Sequence, residues 1–209
     1  MTSHSRLPSR LCLITDSKVS EKTPEEITLA VLRAGVRWIQ YREKEKSRKH
    51  IYEEARRLRQ LTSGYGASFI VNDHADIALA VDADGVHLGQ DDLPLREARK
   101  ILGEKIIGIS THSAAEALDA AAGGADYIGF GPLFRTKTKE AGEPRGLEML
   151  RQIRGEVRVP IVAIGGISSK DLKPLFAAGA DAVAVASAIL VGDISGNVAA
   201  FMRNIEGDA

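Results

Sequence analysis

The polar residues best placed to do chemistry in this chain stand at the ends of short apolar runs. Arg42 and Lys44 close the run that starts at Trp38, and Lys139 sits in the loop Arg135-Thr136-Lys137-Thr138-Lys139. Asn72 and Ser110 are neutral donors in comparable positions. Arginine's planar fork matches phosphate oxygens and lysine adds a mobile point charge, so this set suits a phosphorylated ligand. Surface ion pairing is the competing explanation for charged stretches such as Glu43–Lys49, and Lys46, Arg48 and Lys49 are assigned to it. Asp73 and Asp92 form a second group. Two carboxylates beside a polyphosphate suit Mg²⁺, which takes one or two carboxylates and completes its shell with phosphate oxygens and water. Helix capping competes here: Asp73 precedes a predicted helix at His74–Ala80, and Asp91 or Asp92 could cap one near Pro94. The third group is Gly165-Gly166 with Ala186-Ser187. Small residues that expose backbone N–H groups beside a helix start can hold a monophosphate. A metal-chelated polyphosphate on one side and a monophosphate on the other imply two phosphorylated substrates.

These residues need a frame. Eight apolar runs read as strands: Leu11–Asp16, Trp38–Glu43, Ser68–Asp73, Gly85–Gly89, Ile106–Thr111, Tyr127–Pro132, Pro160–Gly165 and Ala182–Ser187. Amphipathic helical stretches alternate with them, which calls for parallel strands and right-handed crossovers. Thr23-Pro24-Glu25-Glu26 predicts an N-cap, a proline in the first turn and a capping-box glutamate; Ser113 with Glu116 and Ser168 with Asp171 repeat the device. Ala34-Gly35-Val36, Ala83-Asp84-Gly85, Gly124-Ala125-Asp126 and Gly179-Ala180-Asp181 form a weak repeat leading into strands, where glycine is expected to end the helix in a left-handed conformation. Eight such units without a linker predict a closed (β/α)8 TIM barrel, a single α/β domain over residues 1–209 with its core from about 11 to 205. Strand alternation sends Ile39 and Tyr41 outward to the helices and Gln40, Arg42 and Lys44 inward or to the upper rim. It also sends Ile107 and Ile109 outward and Gly108 and Ser110 inward. Barrel active sites lie at the carboxyl ends of the strands, where all three groups fall.

Composition narrows the function classes. In 209 residues, Lys+Arg and Asp+Glu both total 28, so no overall field favours nucleic acid or an anionic membrane. One cysteine, Cys12, in an apolar run, rules out an intrachain disulfide and reads as a buried hydrophobe. The polar start Met1–Arg10 lacks the apolar segment of a signal peptide, and no run approaches a membrane span, so a cytoplasmic protein is expected. His87, opposite in phase to Val86 and Leu88, reads as a satisfied barrel histidine.

Six blocks then occur in order: Gln40-Tyr41-Arg42-Glu43-Lys44, Asn72-Asp73, Gly85-Val86-His87-Leu88-Gly89-Gln90-Asp91-Asp92, Gly108-Ile109-Ser110-Thr111-His112, Thr136-Lys137-Thr138-Lys139 and Ala163-Ile164-Gly165-Gly166-Ile167. From Leu13 to Ser187 the chain resembles the thiamine phosphate synthase family. The resemblance implies a transferase that joins 4-amino-2-methyl-5-hydroxymethylpyrimidine diphosphate to 4-methyl-5-hydroxyethylthiazole phosphate and releases pyrophosphate. It implies that Gln40, Arg42, Lys44, Asn72, Ser110 and Lys139 hold the pyrimidine diphosphate, with Arg42, Lys44, Ser110 and Lys139 closest to the chemistry. It gives Asp73 and Asp92 to Mg²⁺, and Thr136, Thr138, Gly166, Ala186 and Ser187 to the thiazole phosphate. The partners implied are these small molecules, and a homo-oligomer is compatible with the sequence.

Two other readings stay open. The related thiazole tautomerase acts on a thiazole carboxylate phosphate, and His112 is similar to its acid/base residue; Gly142-Glu143-Pro144-Arg145-Gly146 is also closer to that branch. A tautomerase would not need the full diphosphate and metal set. A non-catalytic phosphate-ligand sensor on the same barrel would have no use for both aspartates.

Overall fold

The computed structural model describes residues 7–135 and 143–207. Its strands are β1 Leu11–Ile14, β2 Trp38–Tyr41, β3 Ser68–Asn72, β4 Gly85–Leu88, β5 Ile106–Thr111, β6 Tyr127–Phe130, β7 Ile161–Ile164 and β8 Ala182–Val185. They pair in parallel in chain order and close through β8 onto β1, the expected (β/α)8 barrel. Most strands stop one or two residues earlier than the apolar runs suggested. The residues beyond, including Asp16, Arg42 and Asp73, have left the ladder to form the mouth.

Around the barrel run α1 Pro24–Arg33, α2 Arg48–Gly64, α3 Ala75–Ala80, α4 Leu95–Leu102, α5 Ala114–Ala122, α6 Gly146–Glu156, α7 Leu172–Ala177, α8 Ser187–Leu190 and α9 Ile194–Glu206. In α1 the buried Ile27, Val31 and Leu32 recur at helical spacing and face the strands. Two apolar layers result. Inside the barrel Cys12, Ile14, Trp38, Ile70, Tyr127, Val162, Ala182 and Ala184 pack together. Outside it Ile39, Tyr41, Ile107 and Ile109 join the helices. The predicted phase therefore holds on β2 and β5. Cys12 is fully buried, which raises its thiol's pKa and keeps it an inert hydrophobe.

The caps follow the sequence with two corrections. Thr23 and Glu26 form the full capping box, as do Ser168 and Asp171 on a short 3₁₀ turn. Ser113 accepts from the Glu116 N–H, but the Glu116 carboxylate turns instead to the His112 N–H at 2.8 Å. Gly35, Gly124 and Gly179 do adopt positive φ. In Ala83-Asp84-Gly85, however, the left-handed residue is Asp82, and Gly85 is needed because a Cβ there would lie 2.1 Å from the Ile106 carbonyl oxygen.

The aspartates of this repeat have a purpose that spacing alone does not reveal. Asp84 accepts from the Phe69 N–H at 2.7 Å and from Arg59 at 2.9 Å. Asp126 does the same with the Ile107 N–H at 2.9 Å and Arg99 at 2.6 Å, and Asp181 with the Ile161 N–H at 2.7 Å and Arg154 at 2.9 Å. Each clamp ties the start of one strand to the start of the previous one and to the helix before that. The position ahead of β2 is Arg37, which donates to the Leu32 and Val36 carbonyls instead. The clamps lie at the amino ends of the strands, opposite the mouth, where a barrel places stability rather than chemistry.

Candidate active site

The carboxyl ends of β2 to β5 carry one connected arc of polar side chains. At β2, Gln40 is buried and Arg42 follows it out of the ladder. The Arg42 N–H donates to Thr15 Oγ1 at 3.0 Å and its guanidinium to Asp16 Oδ2 at 3.1 Å. Asp16 is itself fixed, since its other oxygen accepts from the Lys18 N–H at 2.9 Å. One step on, Lys44 forms an ion pair with Asp73.

Asp73 leaves β3 at φ 66, a left-handed conformation that Asp and Asn tolerate better than other non-glycine residues. Its N–H donates to the His87 carbonyl at 2.8 Å. It does not cap α3, whose N-cap His74 makes no side-chain capping bond. Nor does Asp92 cap α4, where the N-cap is Pro94. Asp92 instead folds back on its own loop and accepts from the Gly89 N–H at 2.6 Å. Burial raises the Asp92 carboxyl above the usual range, the Gly89 N–H opposes this, and the adjacent Asp73 carboxylate raises it further.

The two aspartates therefore face each other with Lys44 beside them. Among the described residues no group of three or more His, Cys, Asp or Glu could form an all-protein metal cage. Two hard oxygen donors side by side fit Mg²⁺, which completes its shell with phosphate oxygens and water, and such an ion would relieve the like-charge strain between them.

Ser110 continues the arc on β5. Its Oγ lies 2.8 Å from His87 Nε2, and its carbonyl accepts from Gln90 at 2.6 Å. Asn72, at the end of β3, pairs in register with His87. His112, next along, meets Glu116 through Nδ1 at 3.0 Å and is partly exposed. A carboxylate–histidine pair thus exists, but at the rim rather than buried.

Across the mouth, Gly165 and Gly166 follow β7 at φ 94 and 68, and Ser187 opens α8 after β8. The glycines have a packing reason to be there. A Cβ on Gly166 would lie 2.4 Å from the Arg135 carbonyl oxygen, and one on Gly165 would lie 2.6 Å from Pro132 Cα. The loop after β6 hugs them, with the Phe134 N–H donating to the Gly165 carbonyl at 3.0 Å. Gly166, Ala186 and Ser187, past the ends of β7 and β8, form a second, uncharged side. Thr136, Thr138 and Lys139 lie outside the described residues.

Several residues that shape the site escaped the sequence reading. Thr15 and Asp16 hold Arg42, and Asp16 was visible only as one of many strand-end polars. Glu43, opposite in phase to Arg42 and Lys44, has a buried side chain that accepts from the Glu45 N–H at 2.9 Å and pairs with Lys46. Lys46 in turn meets Glu54, which accepts from Tyr41. Lys46 thus makes the surface ion pairs assigned to it above, one of them to the buried Glu43.

Fold and site together define a (β/α)8 barrel enzyme whose mouth has a charged, carboxylate-bearing side and a small-residue side. The model of the thiamine monophosphate synthase family matches residues 11–189. The chain is 48% identical over 186 residues to a thiamine-phosphate synthase of Chloroflexus aurantiacus, covering 88% of this chain and 86% of that one. It is 44% identical over 201 residues to the thiamine-phosphate synthase of Halalkalibacterium halodurans, covering 94% and 95%. The solved structure of a thiamine phosphate pyrophosphorylase from Pyrococcus furiosus superposes with a TM-score of 0.88 at 39% identity, over 95% of this chain and 96% of that one. The chain belongs to the thiamine monophosphate synthase family, and it is a transferase. No helix among the described residues is long and apolar enough to cross a membrane.

Proposed function

We propose that this chain is a thiamine phosphate synthase, condensing 4-amino-2-methyl-5-hydroxymethylpyrimidine diphosphate with 4-methyl-5-hydroxyethylthiazole phosphate and releasing pyrophosphate. The observation that carries the reading is the arc of Lys44, Asp73 and Asp92 beside Arg42 and Ser110, in a chain of this family. Arg42 and Lys44, with Lys139, hold the diphosphate and neutralise its charge as the methylene–oxygen bond breaks. The bond's electron pair leaves with pyrophosphate, and the aminopyrimidine delocalises the cation left on carbon. The thiazole nitrogen supplies the pair for the new carbon–nitrogen bond and carries no proton to remove, so no general base is needed. Mg²⁺, held by Asp73 and Asp92 when bound, supplies Lewis-acid stabilisation of the leaving group. Gln40, Asn72 and Ser110 orient the pyrimidine. Gly166, Ala186 and Ser187, with Thr136 and Thr138, place the thiazole phosphate on the far side, so that both reactants meet in an attack geometry.

The His112–Glu116 pair would serve a tautomerase, but that reaction leaves the carboxylate pair and its lysine without a role. Product analysis decides. With both substrates and Mg²⁺, thiamine phosphate and pyrophosphate should form in equal amounts. Pyrophosphate released at the same rate from the pyrimidine diphosphate alone would make the protein a hydrolase, and no product from folded protein would end the synthase reading.

A further inference from the structure

One polar line in the barrel interior reaches Ser110 through two residues, Tyr127 and His87, that have no part in the scheme above. Tyr127 Oη lies 3.0 Å from His87 Nδ1, and His87 Nε2 lies 2.8 Å from Ser110 Oγ. Tyr127 is 1% exposed and His87 6%. Their rings stack at 5.5 Å, and Tyr127 meets Trp38 edge-on at 5.3 Å. Neighbouring strands make room for this line by carrying no side chain. A Cβ on Gly108 would fall 2.1 Å from Tyr127 Cζ, and one on Gly129 would fall 3.0 Å from His87 Cε1.

The line has a direction. Burial lifts the Tyr127 phenol far above its ordinary pKa, with Cys12 and Asp126 adding to it, so the phenol keeps its proton. Among the described residues, His87 Nδ1 is the hydrogen-bond partner of that hydroxyl. A buried O–H needs an acceptor, and here Nδ1 provides it. With Nδ1 accepting, the ring's N–H sits on Nε2 and donates to Ser110 Oγ, 2.8 Å away. Ser110 is left with its own proton to offer into the mouth.

We propose that Tyr127 and His87 are positioning residues that fix the hydrogen-bond polarity of Ser110, so that Ser110 meets the pyrimidine diphosphate as a donor. The inference rests on the synthase reading for the identity of the ligand, but the polarity itself does not. The His87 backbone serves the same site, because its carbonyl accepts from the Asp73 N–H at 2.8 Å. One histidine thus ties the serine and the carboxylate sides together.

Two measurements test this. Nitrogen NMR of the His87 ring in the ligand-free wild-type enzyme, assigned with a His87→Gln variant, reads the tautomer without any turnover. The Nε2–H form is expected; an Nδ1–H form or an imidazolium would overturn the proposal. The second is a double-mutant cycle of Tyr127→Phe and Ser110→Ala, with thermal unfolding as the check on folding. Tyr127→Phe should lower kcat/KM for the pyrimidine diphosphate roughly fivefold and leave the KM for thiazole phosphate unchanged. In the Ser110→Ala background the same change should cost nothing further. Fully additive losses would show that Tyr127 acts through the core alone and would contradict the proposal. A wild-type protein without synthase turnover would defeat the functional reading, while the tautomer would still decide the polarity.

Discussion

At Asp73 three constraints meet: a left-handed backbone, an ion pair with Lys44, and a like charge at Asp92. Asparagine tolerates the same backbone, so Asp73→Asn removes the charge without adding strain. We expect it to lower turnover by roughly a hundredfold and to raise the Mg²⁺ concentration needed for half-maximal rate; unchanged magnesium dependence in a magnesium titration would refute the assignment. Arg42→Ala should raise the KM for the pyrimidine diphosphate by roughly tenfold while thiazole phosphate KM stays put, and steady-state kinetics with each substrate varied in turn will separate the two. The types of residue at this mouth were legible in the sequence because strand phase and strand-end position depend on a period of two. Their partners were not. Asp16, which holds Arg42, and His87, which holds Ser110, come from neighbouring strands, and only the closed register brings them within 3.1 Å and 2.8 Å.

Among the elements, the loop between β2 and α2 depends on Glu43. Burial pushes its carboxyl up, but the Glu45 N–H, the Ser17 hydroxyl and the Lys46 charge outweigh this and hold it below its ordinary value of 4.5. A carboxyl depressed in the folded state takes up protons more readily when unfolded. Its stabilisation is therefore complete above that ordinary value and is lost as pH falls through the lowered one. Glu43→Gln should accordingly be destabilised relative to wild type near neutral pH, with the gap closing in urea titrations as the pH falls below 4.5 through the lowered value. A gap independent of pH would mean that shape, not charge, is what Glu43 contributes. At the barrel's other end, Asp126→Ala strips the Ile107 N–H of its side-chain acceptor and Arg99 of its carboxylate, and should cost about 2 kcal/mol in urea unfolding at unchanged activity per folded molecule. The repeat that contains Asp126 was visible in the sequence as a helix stop. Its aspartates were not readable as clamps, because each one's partners lie on other elements, across the strand register.

For the molecule as a whole, eight alternating units with no linker favoured closure over an open sheet, and the barrel does close, in parallel order from β1 to β8. Closure is what sets the two sides of the mouth apart: the charged arc spans β2 to β5, and the small residues stand at β7 and β8. Five of the six sequence blocks, those that fall within the described residues, thus converge on one rim. The edges of those blocks were less legible, because residues past the last ladder bond keep strand-like patterning while turning into the mouth. The most direct test of the two-sided mouth is the initial rate of pyrophosphate release by purified protein, with each substrate alone and with both, across a magnesium titration. The account predicts release only when pyrimidine diphosphate, thiazole phosphate and Mg²⁺ are all present. Release that ignores either the second substrate or the metal would contradict it.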